Sequence, residues 1–439
     1  MDLHSIKNKS TRDCNPLLEK NDNNMKNILL TLLLIIFTAL PSLAQLQGEA
    51  LIDSLEAELP KAKADTNDVN LLNRLCYSYN SINPEKGIEF GEKGLALAKE
   101  IDWKKGEATS YNNLGVNYMN QSDYPQALEY YGRALKINEY LGDKKEIATN
   151  LGNMGIVYQN QSDYPKALEY YHRALDLHEK LGGKSKIAIG LGNIGIVYHR
   201  QSNHPKALEY YHKALKIDEE LGNKNGVARH LGNIGLVYKD QLDYSKALEY
   251  YRKALNINKE LDNKAGVASL LGNIGNVYND QSDYSKAFEY YDKALKIAEE
   301  VGYKNGVARH IGNMGELYLK LSQDTVNISP NELNKYVSLN RVININNAIE
   351  YSKEAISIFE EIGELGARSY FLENLAEAYK LKGDYKKWGE ALEEHHRLKD
   401  SIFNKENTKR IEALTAERDK IEAEKIASEE ARILAEKKA

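Results

Sequence analysis

The chain has 439 residues, with 59 Lys plus Arg against 64 Asp plus Glu and a formal net charge of −5. That near-balance argues against nucleic acid or an anionic membrane surface as the main partner. The only two cysteines, Cys14 and Cys76, make no disulfide framework, whereas thirty tyrosines beside six phenylalanines call for a repeating cause.

Residues 1–24 are polar and patternless, and are read as an untranslated or disordered leader ahead of a true start at Met25. Met25-Lys26-Asn27 then leads into the apolar Ile28–Leu40, followed by Pro41-Ser42-Leu43-Ala44-Gln45. A basic start, a short apolar core and a small-x-small ending predict an export signal over 25–44, cut before Gln45. The apolar run is short for a bilayer, which takes about 20 residues. The expected location is therefore outside the cytoplasm, periplasmic or secreted. The alternative is an uncleaved membrane anchor. Within 45–67, Leu51, Ile52, Leu55 and Leu59 predict an amphipathic N-terminal capping helix.

From 68 to 403 the chain repeats itself. Gly115, Gly155, Gly195, Gly235, Gly275 and Gly315 share one phase of a forty-residue period. Tyr118 through Tyr318 follow three places later, and Ala127 through Ala287 share a third phase. A fixed period between about 20 and 50 residues is the signature of a solenoid, so the expected fold is all-α. In the unit Lys224–Asp262, Val227, Leu231, Ile234 and Tyr238 line one face of a first helix. Asp243 is a good N-cap for a second helix that buries Ala247, Leu248, Tyr251 and Leu255. Leu181-Gly182 and Leu221-Gly222 in sister units read as helix stops. A glycine inside a helix costs ~1 kcal/mol relative to alanine. Its recurrence at the Gly235 phase implies close helix approach opposite Ala247, with Tyr238 and Tyr251 filling the flanks.

Ile234, Gly235, Tyr238, Ala247, Tyr251 and Ala254 resemble, at the family's spacings, the tetratricopeptide repeat. The forty-residue length looks like the units of kinesin light chains and of polarity adaptors that bind G-protein subunits. The resemblance implies a right-handed superhelical solenoid of helix-turn-helix units whose first helices line a concave groove. About eight units fit between 68 and 403, with an insertion over about 323–344 in unit seven. Ser329-Pro330-Asn331-Glu332 in that insertion predicts a short extra helix. Unit eight places Trp388 where alanine belongs, as a cap or a docking point for the next segment. Residues 404–439 predict a long charged helix, solvated or forming a weak coiled coil that would make a homodimer.

The recurring polar residues Asn113, Asn153, Asn193, Asn233, Asn273, Asn313 and Asn374 each precede the small-residue position by two. Two readings stand: a ladder of amides contacting an extended peptide, or ties between neighbouring helices. Arg229 and Arg309 lie four residues before Asn233 and Asn313, on the same helix face. This Arg-x-x-x-Asn spacing resembles the carboxylate clamp of peptide-binding tetratricopeptide domains, which implies a partner with acidic or C-terminal carboxylate groups.

The string Gly190-Leu191-Gly192-Asn193-Ile194-Gly195 matches a dinucleotide fingerprint, but no strand precedes it and the repeat accounts for it. His172, His212 and the adjacent His395 and His396 have no partner ligands at metal spacing and read as surface residues. No catalytic constellation, cofactor motif or metal site emerges. The expectation is a non-catalytic scaffold for a protein or peptide ligand. The signal, the repeats, Lys399-Asp400-Ser401-Ile402-Phe403-Asn404 and the charged helix together also resemble the extracytoplasmic input region of bacterial sensors. That likeness implies the alternative of a truncated histidine kinase or nucleotide cyclase.

Overall fold

The computed structural model describes residues 43–59, 65–80, 82–323 and 340–402, and among these the only regular elements are helices. The signal core, the insertion helix near 330–339 and the charged segment 404–439 lie outside the described residues. A leading helix α1 (Leu43–Glu56) precedes eight helical hairpins. Unit one is α2 (Thr66–Tyr79) with α3 (Pro84–Glu100), and unit two is α4 (Lys104–Asn120) with α5 (Tyr124–Leu141). Unit three pairs α6 (Lys144–Asn160) with α7 (Tyr164–Leu181), and unit four α8 (Lys184–Arg200) with α9 (His204–Glu220). Unit five pairs α10 (Lys224–Asp240) with α11 (Tyr244–Glu260), and unit six α12 (Lys264–Asp280) with α13 (Tyr284–Glu300). Unit seven is α14 (Lys304–Gln323) with α15 (Arg341–Glu361), and unit eight is α16 (Leu365–Lys382) with α17 (385–402).

Local chemistry sets the hairpin boundaries. Asp243 accepts a hydrogen bond from the Lys246 amide, and Asp123, Asp163, Asn203 and Asp283 cap their second helices in the same way. Gly142 and Gly182 end α5 and α7 in the left-handed region, at φ 68° and 69°. The turn inside each hairpin of units two to six also passes through that region, at Ser122, Ser162, Ser202, Leu242 and Ser282.

At the glycine phase the atoms nearest to an added side chain belong to the tyrosine expected at the flank of the contact. A β-carbon on Gly235 would stand 2.8 Å from Cδ1 of the fully buried Tyr251 ring. Gly115, Gly155, Gly195 and Gly275 meet Tyr131, Tyr171, Tyr211 and Tyr291 in the same way. In units two to six a second pair of tyrosines stacks across the hairpin, as Tyr238 does on Tyr250 at 5.4 Å between centroids. Lys246 and Lys253 lie over the two rings of that stack. Unit seven breaks the pattern. There Ser352 replaces the tyrosine and packs against Gly315, while Ala348 and Ala355 resume the buried face of the second helix.

At the N-terminal end Ile52 and Leu55 of α1 are buried, and Glu56 accepts hydrogen bonds from the Tyr79 hydroxyl and Lys86. Cys76 lies wholly inside unit one, where burial pushes its thiol up to about 12. Trp388 is partly buried against the terminal core of units six to eight. His395 departs from its expected surface position: it is buried, and its Nδ1 lies 2.8 Å from the Ser369 carbonyl.

Candidate peptide-binding face

First helices of most successive units touch directly, as α10 does α8 and α12, whereas no contact of comparable extent joins α11 to α9 or α13. A stack held closer along its first helices curves with those helices inside. On α10, Arg229, Leu236 and Asp240 share one face at i, i+7 and i+11, and all three are exposed. The same face carries Ile189, Ile196 and Arg200 on α8, and Arg309, Glu316 and Lys320 on α14.

Cross-unit contacts run along one edge of this inner face. His199 Nε2 lies 2.7 Å from Asp240 Oδ2, and Lys239 pairs with Asp280 at 3.1 Å. Lys320 donates to Asn279 and pairs with Glu316, which also accepts from the Tyr370 hydroxyl at 2.8 Å. The exposed Arg229 and Arg200 make no ion pair among the described residues. Arg309 is exposed, and its Nε donates to Asn305 one turn earlier on its own helix.

The asparagine phase lies at the border between this face and the seam to the preceding unit. Asn113 is buried, and its amide donates to the Asn73 carbonyl at 3.0 Å. Asn153 donates to Asn112 Oδ1 at 3.0 Å, and Asn313 to Asn276 Oδ1 at 3.2 Å. Asn193, Asn233, Asn273 and Asn374 are half-buried, with Asn374 presenting an enclosed amide nitrogen that meets no acceptor. In units two, three and seven, then, these amides reach the preceding unit.

A second set of polar residues lies deeper, where each second helix meets the following first helix. Asn138 donates to Asn150 at 2.8 Å, and the equivalent positions one unit pair later hold Asp218 and His230, 3.1 Å apart and buried. His310 stands at the same phase with both ring nitrogens buried and unbonded. Burial, helped by the neighbouring Arg309, pushes His310 down to about 4, and burial beside Arg229 does the same to His230. Sequence reasoning missed this set. The signal was available as Asn138, His178, Asp218 and Asn258, polar residues at one phase inside an apolar stripe.

On the outer side, a cleft of 690 Å³ opens between α7, α8 and α9, floored by Leu175, Leu191 and Ile217. Unit four carries Gly190 where neighbouring units carry His230 or Asn150. Among the described residues no three His, Cys, Asp or Glu side chains gather as a metal would need, and no helix is long and apolar enough to cross a membrane.

A family model described as Tetratricopeptide repeat matches residues 106–180, 146–220, 186–260 and 266–325. The chain belongs to the tetratricopeptide repeat family. Among solved structures, the apo form of the quorum sensor NprR from B. thuringiensis shares 16% identity at a TM-score of 0.51, over 87% of this chain and 99% of that one. The Rap conjugation gene regulator of the plasmid pLS20, in complex with a Phr peptide, shares 15% identity at a TM-score of 0.51, over 82% and 96%. A STAND signal-transduction ATPase with a tetratricopeptide repeat sensor, from Pyrococcus horikoshii, shares 16% identity at a TM-score of 0.54, over 81% and 51%. At these identities the likeness is one of fold. No curated protein matches the sequence. The tetratricopeptide units of this chain thus present an inner face of first helices and seams held by buried polar pairs.

Proposed function

We propose that this tetratricopeptide solenoid is a non-catalytic scaffold that holds an extended protein segment or peptide against the inner face of its first helices. The observation that carries the reading is the pair of exposed arginines, Arg229 and Arg309, on that face eighty residues apart, beside the half-buried Asn233 and Asn313. A guanidinium fork binds a carboxylate through two parallel hydrogen bonds, so the partner presents acidic or C-terminal carboxylate groups. The quorum sensor and the peptide-bound regulator that share the fold support a peptide ligand. The segment 25–44, with its basic start and small-x-small end, supports delivery outside the cytoplasm.

Fluorescence anisotropy on the purified chain with an array of nonapeptides bearing free C-terminal carboxylates tests the scaffold. Binding that weakens in Arg229→Ala and Arg309→Ala is the expected result. Unchanged affinity in both variants eliminates the carboxylate contact, and an array with no binder at all removes the scaffold reading. Export is tested by fractionation and N-terminal sequencing after bacterial expression. Chain retained in the cytoplasm with its segment 25–44 intact overturns it.

A further inference from the structure

We infer that the junction between units three and four carries a slot for a small neutral planar group, a carboxamide or an imidazole, bounded by Gly152 and Gly190 and read by His178. The junctions from unit two onward share a three-sided layer. Its sides are a residue of one first helix, a residue of the second helix that follows, and a residue of the next first helix. Between units two and three the layer is Asn112, Asn138 and Asn150, joined by hydrogen bonds of 2.8 and 2.9 Å. Between units four and five it is Gly192, Asp218 and His230, with the imidazole 3.1 Å from the carboxylate and its ring against the glycine. Further along, Leu270, His310 and Phe371 lie against Gly232, Gly272 and Gly312. In each case a side chain from the later first helix fills the layer.

Units three and four depart from this. Their layer is Gly152, His178 and Gly190, so neither first helix supplies a side chain. The backbone does not close the space. A β-carbon on Gly152 would have nothing within 4 Å, and one on Gly190 would meet only Leu175 Cδ1, at 3.7 Å. Asn150, His230 and His310 are buried at the phase of Gly190, yet Gly152 and Gly190 are themselves half-buried, so the slot reaches solvent. Leu175 also floors the outer cleft.

His178 supplies the chemistry. It is 9% exposed, at the phase from which Asn138 and Asp218 reach across their layers. Its ring makes no hydrogen bond or ion pair among the described residues. Burial, helped by Lys186, pushes the imidazole below its ordinary value and holds it neutral. A neutral ring offers one donor and one acceptor nitrogen, which a carboxamide or a second imidazole matches in kind. A carboxylate would use only the donor and would carry its charge into the seam. Asn150 and His230, the hydrogen-bonded occupants of the sister layers, have that neutral planar chemistry. A free small molecule or an asparagine, glutamine or histidine side chain of a docked protein presents the same group.

The test uses the full chain with isotope-labelled histidine and follows the His178 ring by NMR, its signals assigned from their loss in His178→Leu. The probes are acetamide, imidazole, acetate, and a tripeptide bearing asparagine beside its leucine counterpart. Acetamide or imidazole should move the His178 signals saturably, at the millimolar concentrations that so few atoms allow. A response to the asparagine tripeptide alone identifies a partner's side chain as the source. Gly190→Asn, which rebuilds the layer of units two and three, should abolish the response without lowering the melting temperature, and Gly190→Ala, which narrows the slot, should weaken it. No movement with acetamide, imidazole or the asparagine tripeptide overturns the inference. So does an equal response to acetate or the leucine tripeptide, or a response that survives Gly190→Asn. The carboxylate contact at Arg229 and Arg309 is measured with other peptides and stands or falls separately.

Discussion

The ring of Tyr251 occupies the space that a side chain on Gly235 would need, with Cδ1 and Cε1 each 2.8 Å from the site of a β-carbon. An alanine in a helix is ordinarily better than a glycine by ~1 kcal/mol, but overpacking a core costs about 1–3 kcal/mol. Gly235→Ala should therefore lower the melting temperature, and Gly235→Leu should unfold unit five and its neighbours. Gly152→Ala, with open space around it, should raise stability by about 1 kcal/mol instead. A circular-dichroism melt in which both alanine variants move the same way would contradict the packing account.

The turn of unit five holds Leu242 at φ 62°, 69% exposed, where the other repeated units place serine. A left-handed conformation costs an L-residue about 1–2 kcal/mol, and an exposed leucine recovers none of it by burial. Leu242→Gly should raise the urea midpoint by an amount corresponding to about 1 kcal/mol. A midpoint that falls would mean that the leucine makes a contact worth more than the strain.

His310 is buried and neutral, with a folded-state value of about 4 against about 6.5 for an unfolded histidine. Between those values the unfolded chain binds more protons, so stability is fully present above about pH 6.5 and falls as the pH drops towards about 4. The loss is on the order of 3 kcal/mol. At His230 a protonated ring would face the Asp218 carboxylate, which offsets part of the same penalty. His310→Leu, which copies Leu270 of the preceding unit, should flatten the pH dependence measured by urea unfolding. Parallel pH profiles for the variant and the parent chain would rule this out.

Asn113 and Asn193 share a phase but not an environment. The first is buried and bonded to the Asn73 carbonyl; the second is half-buried. Asn113→Ala should cost about 1 kcal/mol, because it removes a buried hydrogen bond between units. Asn193→Ala should change stability by less than half that. Equal losses at both positions would make the whole phase a structural tie between units.

Much of the fold was legible in the chain because its signals are local. The caps at Asp243 and Asn203, the stops at Gly142 and Gly182 and the apolar stripe through Leu231 and Ile234 each act within a few residues. The forty-residue period multiplied those signals until the hairpin count followed. The glycine phase was legible as a demand for space with Tyr251 at its flank. Tyr251 and Ala247 lie four residues apart on one helix face, and only their three-dimensional placement puts the ring atoms nearest to Gly235.

The sequence by itself determined the all-α repeat and the family, since period and hairpin chemistry are written into each unit. Only the tertiary structure decided what the polar phases do. Asn113 reaches Asn73, and His230 reaches Asp218 in the unit before its own. Those partners depend on how one unit rotates against the next, which no pattern within a single helix encodes. The same rotation brings Ile196 and Leu236 onto one inner face and leaves Arg229 exposed beside them.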